Sequence, residues 1–193
     1  MGVLLDVLGS VIIGGTLLLM IMSFNLQMQE TSSRIYYTSS MIEHMEEVAQ
    51  NVNHVFSMAG IGFNKDDQIC VTASQTAIKF KTFWNYETDV LDQEPHQIEI
   101  RLDTAPTGTG KVLDVIQDGI VYPLGHILFI EDMKLKYYNK SDAATTVLKD
   151  IMSAEVLLTF RRDSPWRPDR PLRSNLQLKC YMMNRYLQEG AWD

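Results

Sequence analysis

VLLDVLGSVIIGGTLLLMIMSF, residues 3–24, carries a single ionisable side chain, Asp6, in an otherwise apolar or small-residue run. A helix needs about 20 such residues to cross the hydrocarbon of a bilayer, so the stretch predicts a membrane-spanning helix. A cleaved signal peptide is the first alternative, but no basic n-region precedes the run and no small-x-small site directly follows it. A buried core helix is the second, and a chain of 193 residues seldom hides a helix that is apolar all round for six turns. Residues 1–33 hold no Lys or Arg, so the positive-inside rule assigns no orientation.

Asp6 is the residue in this run that needs compensation, because a carboxylate in hydrocarbon costs on the order of 2.5 to 3.5 kcal/mol. About one and a half turns from the N-terminus, it is close enough to snorkel to the interface. The other solution pairs it with a cation from a neighbouring chain, and the nearest candidate is that neighbour's α-amino group.

The helical pattern continues beyond the span. Ile35, Ile42, Met45, Val48, Val52, Val55 and Ala59 recur at spacings of three, four and seven, with Arg34, Glu43, Glu46, Glu47 and Asn53 between them. Gly60 and Gly62 are the first strong stop signals, and no proline occurs before Pro95. Residues 3–58 are therefore predicted as one helix of about 84 Å at ~1.5 Å per residue, with a break, if any, in the polar segment 27–33. The second half suits a helix laid on a sheet by one apolar stripe better than a coiled coil, whose heptads it matches loosely.

After Gly62 the period changes to two. Ile78, Phe80 and Trp84 alternate with Lys79 and Lys81, and Ile98, Ile100 and Leu102 with Glu99, Arg101 and Asp103. Further strands are predicted over 119–123, around Met133, Leu135 and Tyr137, around Val156, Leu158 and Phe160, and around Leu176, Leu178 and Cys180. Turn-rich clusters at 104–110, 138–142 and 163–171 separate them. The expected fold class is α+β: a long N-terminal helix packed on one face of an antiparallel sheet. The expected organisation is a transmembrane helix over 1–26, an amphipathic stalk over 27–62 and a β-rich domain over 63–193.

The remaining motifs argue against several functions. A net charge of −7, with basic residues scattered, lacks the clustered basic face that nucleic acid requires. Arg161, Arg162, Arg167, Arg170 and Arg173 form the densest basic run and read as a solvated loop. Residues 106–112 mimic a phosphate loop, but Ala105 replaces its leading glycine and Val112 its hydroxyl residue. His44, His54, His96 and His126 stand in no metal-ligand spacing, although His44 lies among Glu43, Glu46 and Glu47. No nucleophile motif is present, and the reading is of a non-enzymatic chain with no cofactor, no metal and no small-molecule substrate. Cys70 and Cys180 are open to two readings, one disulfide if the domain lies outside the cytoplasm, or two buried thiols.

These features together resemble the type IV pilins and type II secretion pseudopilins. The junction Val55-Phe56-Ser57-Met58-Ala59-Gly60-Ile61-Gly62 is similar to the helix exit of the larger minor pilins. Residues 130–138 and 151–156 resemble their later strand pair. The resemblance implies a structural subunit of a pilus-like or secretion-like filament. Asp6 would neutralise a neighbour's terminal amine, and becomes fifth in the chain if Met1 is removed. Leu4, Leu5, Leu8, Ile12, Ile13, Leu17, Leu18 and Ile21 would form the filament core. The implied partners are other copies or related subunits and, before assembly, the inner membrane. The C-terminal domain would lie outside the cytoplasm, in a periplasmic or cell-surface filament. The competing expectation is a single-span anchored sensor, scaffold or binding domain that does not polymerise.

Overall fold

The computed structural model describes residues 2–103, 111–124, 129–163 and 171–190. In chain order they form α1 (Gly2–Ser57), β1 (Cys70–Ala73), β2 (Ala77–Asn85), β3 (Val90–Leu102), β4 (Leu113–Gln117), β5 (Ile120–Leu124), β6 (Phe129–Tyr138), β7 (Ser153–Arg162), β8 (Leu172–Tyr181) and α2 (Met183–Gly190). The turn clusters predicted at 104–110 and, apart from its ends, at 163–171 lie outside the described residues, as does His126. The chain divides into two units, Met1–Ser40 and Met41–Asp193.

In the first unit α1 passes unbroken through the polar segment 27–33, as one continuous helix. Within the segment Thr31 Oγ1 donates to the Gln27 carbonyl at 2.8 Å, and just beyond it Thr38 Oγ1 donates to that of Arg34 at 2.8 Å. The large apolar side chains described between Val3 and Leu26 are all at least 54% exposed, which leaves this surface uncovered within one chain.

The second unit is built around the last turns of α1. Met41, Met45, Val48, Val52, Val55, Phe56 and Ala59 are buried, whereas Ile35 and Ile42 of the predicted stripe are 65% and 51% exposed. The buried set steps by four and three and so stays on one face, while Ile42 lies about 100° round the helix from Met41. The sequence pattern therefore placed the stripe one residue off at its start.

Two antiparallel sheets replace the single one expected, ordered β1-β2-β3-β4-β5 and β6-β7-β8. Ile78, Phe80, Ile98, Ile100 and Val115 from the first and Met133, Leu135, Val156, Leu158 and Phe160 from the second join the helix in one core. Phe56 meets Phe80 there with ring centroids 6.3 Å apart. The sheets are tied by Tyr137, whose hydroxyl donates to the Ser74 carbonyl at 2.6 Å, and by the Leu135 amide, which donates to the Gln75 carbonyl at 2.8 Å. Period-two patterning sets which face of a strand is buried and leaves its neighbours open, so the division into two sheets was not visible in it.

Chain exit from α1 depends on Gly60 and Gly62, at φ +77° and +81°. A Cβ on Gly60 would lie 2.5 Å from Ile69 Cδ1, and one on Gly62 would lie 2.6 Å from Phe83 Cδ2. The Gly60 amide then donates to the Lys81 carbonyl at 3.0 Å and the Phe83 amide to that of Ile61 at 3.0 Å, which stitches the exit to β2. Three elements were missed in the sequence. β4 is buried at every position and so shows no alternation, β1 has only four residues, and α2 only eight.

Candidate assembly site on the N-terminal helix

The expected assembly residues all fall on α1, within the unit that makes no core of its own. Asp6 is exposed and is the one ionisable side chain in residues 2–29. At helical spacing it shares a face with Gly2, Gly9 and Ile13. Leu8, Ile12, Ile13, Leu17, Leu18 and Ile21 are between 54% and 63% exposed and are distributed round the helix. The side chains of Leu4 and Leu5 lie outside those described. Two hydroxyls of the span are satisfied by the helix itself, since Ser10 Oγ donates to the Val7 carbonyl at 2.9 Å and Thr16 Oγ1 to that of Ile13 at 2.9 Å. Asp6 is the ionisable group in the span, and its charge must be met from outside the helix.

Physically, α1 is long and apolar enough to cross a bilayer: an 18-residue window has a mean hydropathy of 2.2 and none of it is buried. Leaving such side chains in water forgoes roughly 1.5 to 3 kcal/mol for each one that could be fully buried. Lipid, or apolar helices from other chains, can supply that cover.

Elsewhere, Cys70 and Cys180 are both buried thiols, and Cys70 Sγ lies 3.8 Å from Met182 Sδ. Burial pushes each thiol up to about 12, tempered at Cys70 by the Arg185 guanidinium. His44 approaches Glu47 at 3.6 Å and His54 approaches Asp89 at 3.5 Å, both as simple surface pairs. Among the described residues no group of three or more His, Cys, Asp or Glu side chains is arranged to hold a metal ion.

One cluster was not read from the sequence. His96 on β3 sets Nδ1 2.7 Å from Asp118 Oδ2 and Nε2 3.2 Å from Asp92 Oδ2. Its partial burial opposes the charge, but hydrogen bonds to both carboxylates outweigh that and hold the imidazole above its ordinary value. Asp118-Gly119 is a turn dipeptide that the sequence could have flagged. The approach of Asp92 could not have been flagged, because it depends on a bulge in β3.

No family model matches the chain, and no curated protein matches its sequence. Among solved structures, a type IV-like pilin from Thermus thermophilus is similar, with a TM-score of 0.51 over 75% of this chain and 97% of that one. Identity is 7%, so the likeness is one of fold: a long N-terminal helix with antiparallel sheets, pilin-like in arrangement.

Proposed function

We propose that this protein is a structural, non-enzymatic filament subunit, a minor pilin or pseudopilin, that is held in the membrane by α1 and assembles through it. The observation that carries this reading is the apolar surface of α1. The described large apolar side chains from Val3 to Leu26 are at least 54% exposed, while the domain after Met41 has its own complete core. A pilin-like fold supports the same reading.

In this reading α1 exchanges lipid for like helices from sister subunits, and the β-rich domains form the outer layer outside the cytoplasm. Lipid tails are as apolar as leucine, so the exchange is driven by close packing and by polar pairing more than by burial itself. Asp6 supplies the polar pairing by meeting the α-amino group of an adjacent subunit. A desolvated ion pair roughly offsets its own desolvation, so the contribution of Asp6 is to axial register more than to affinity.

The test is disulfide crosslinking in cells of the full chain with single cysteines placed along residues 3–24. Native Cys70 and Cys180 do not compete, because both are buried. A ladder of multimers, with filaments visible by electron microscopy in the sheared fraction, is the expected result. A monomer retained in the membrane at every position overturns the proposal and leaves the anchored, non-polymerising domain as the reading.

A further inference from the structure

β2 and β3 separate locally beside His96. Between the register pairs Thr82↔His96 and Trp84↔Leu91, β2 advances by two residues and β3 by five, so residues 92–95 bulge from the ladder. Next to this bulge is the two-residue turn between β4 and β5, where Asp118 and Gly119 take φ of 50° and 92° between the paired Gln117 and Ile120. The turn is itself tied to β3, since the Gln97 amide donates to Asp118 Oδ1 at 3.0 Å and the Asp118 amide to the Gln97 carbonyl at 3.1 Å.

His96 bridges the two features. Both of its ring nitrogens face carboxylate oxygens within hydrogen-bond distance, and a carboxylate can only accept. Only the imidazolium has a proton on each nitrogen, so only that form satisfies both contacts. From β2 the position across from His96 is the uncharged Thr82, and the adjacent cation Lys81 is across from Gln97. The charged groups that meet the ring are therefore Asp92 on its own strand and Asp118 from the neighbouring turn.

We propose that His96 is a pH-operated clip: as imidazolium it ties the β3 bulge to the β4–β5 turn, and on losing a proton it releases the bulge. The tie that breaks is the one to Asp92. At 3.2 Å it is the longer of the two, and Asp92 keeps another donor, the Gln93 amide at 2.7 Å. The neutral ring keeps its proton on Nδ1, toward Asp118 at 2.7 Å. The sign follows from linkage. The two carboxylates raise the folded-state proton affinity above that of the unfolded chain. The clip is therefore closed at and below the ordinary imidazole value of about 6.5 and opens as pH rises through the raised folded value. Opening loosens residues 92–95 beside Val90 and Leu91, which are already 54% and 61% exposed, and so alters the apolar surface that this hairpin presents.

The test is NMR of the full-length protein in detergent micelles, following the His96 ring nitrogens and amide exchange at Asp92, Gln93 and Glu94 across neutral pH. His96 is expected to titrate above the value of an exposed histidine. D92N and D118N should each lower that midpoint. Exchange at 92–94 relative to the H96Q variant at the same pH should be slower below the midpoint and equal above it. A His96 midpoint at or below the ordinary value, an unchanged midpoint in both Asn variants, or a wild-type-to-H96Q exchange ratio flat with pH each overturns the clip. Near-ultraviolet circular dichroism of each variant distinguishes loss of the tie from loss of the fold, and the wild-type titration is decisive without any variant.

Discussion

Asn184 Nδ2 donates to the main-chain carbonyl of Ser57 at 3.0 Å, joining α2 to the last residue of α1 across 127 positions of sequence. The last carbonyls of a helix have no partner inside it, so α2 satisfies one of them. Gln188 Nε2 extends the contact, donating to the Phe63 carbonyl at 2.9 Å. The final helix thus fixes the point where α1 hands the chain to the sheets.

Asn184→Ala removes that donor from an exposed acceptor, which water can then satisfy. The domain is expected to lose about 0.5 to 1.5 kcal/mol, read as a lower urea midpoint with an unchanged slope.

Gly62→Ala should cost more. The added methyl group meets the Phe83 ring at 2.6 Å and the residue must hold φ +81°. Strain of this kind costs roughly 1 to 3 kcal/mol before any repacking, so thermal unfolding should begin several degrees earlier.

Asp6→Ala is expected to leave the protein in the membrane, since a carboxylate costing on the order of 2.5 to 3.5 kcal/mol in hydrocarbon is gone. Multimer ladders should be lost or shifted in register. Ladders of wild-type pattern would remove the charge pair from the account while leaving helix-mediated assembly intact.

Glu155 reports a pH dependence of the opposite sign to His96. The Tyr138 hydroxyl donates to it at 2.6 Å, and that bond, followed by the one from Gln177, holds its carboxyl below the ordinary range. Its contribution is present above the ordinary carboxylate value and is lost as pH falls through the lowered one. In Tyr138→Phe the Glu155 carboxyl should titrate closer to its usual value by NMR, with a small loss of stability at neutral pH.

Both native thiols should resist alkylation at mildly alkaline pH in the folded protein and react on unfolding. Burial excludes the reagent, and it pushes Cys70 and Cys180 each up to about 12, away from the reactive thiolate. Two labels per unfolded chain, counted by mass spectrometry without reductant, is the expected outcome; an unlabelled unfolded chain would reveal a bridge.

What the sequence determined by itself was local. The apolar run containing Asp6, the exit at Gly60 and Gly62, and the alternation in β2, β6, β7 and β8 were all legible, because helix and strand periods are written in consecutive residues. The tertiary structure alone decided that the strands divide into two sheets, that Met41 rather than Ile42 enters the core, and that Asn184 meets Ser57. It also decided that Asp92 and Asp118 converge on His96. Periodicity specifies which face of an element is buried. Which elements then lie together is settled by packing them all into one core, and that is not a property of any single stretch of chain.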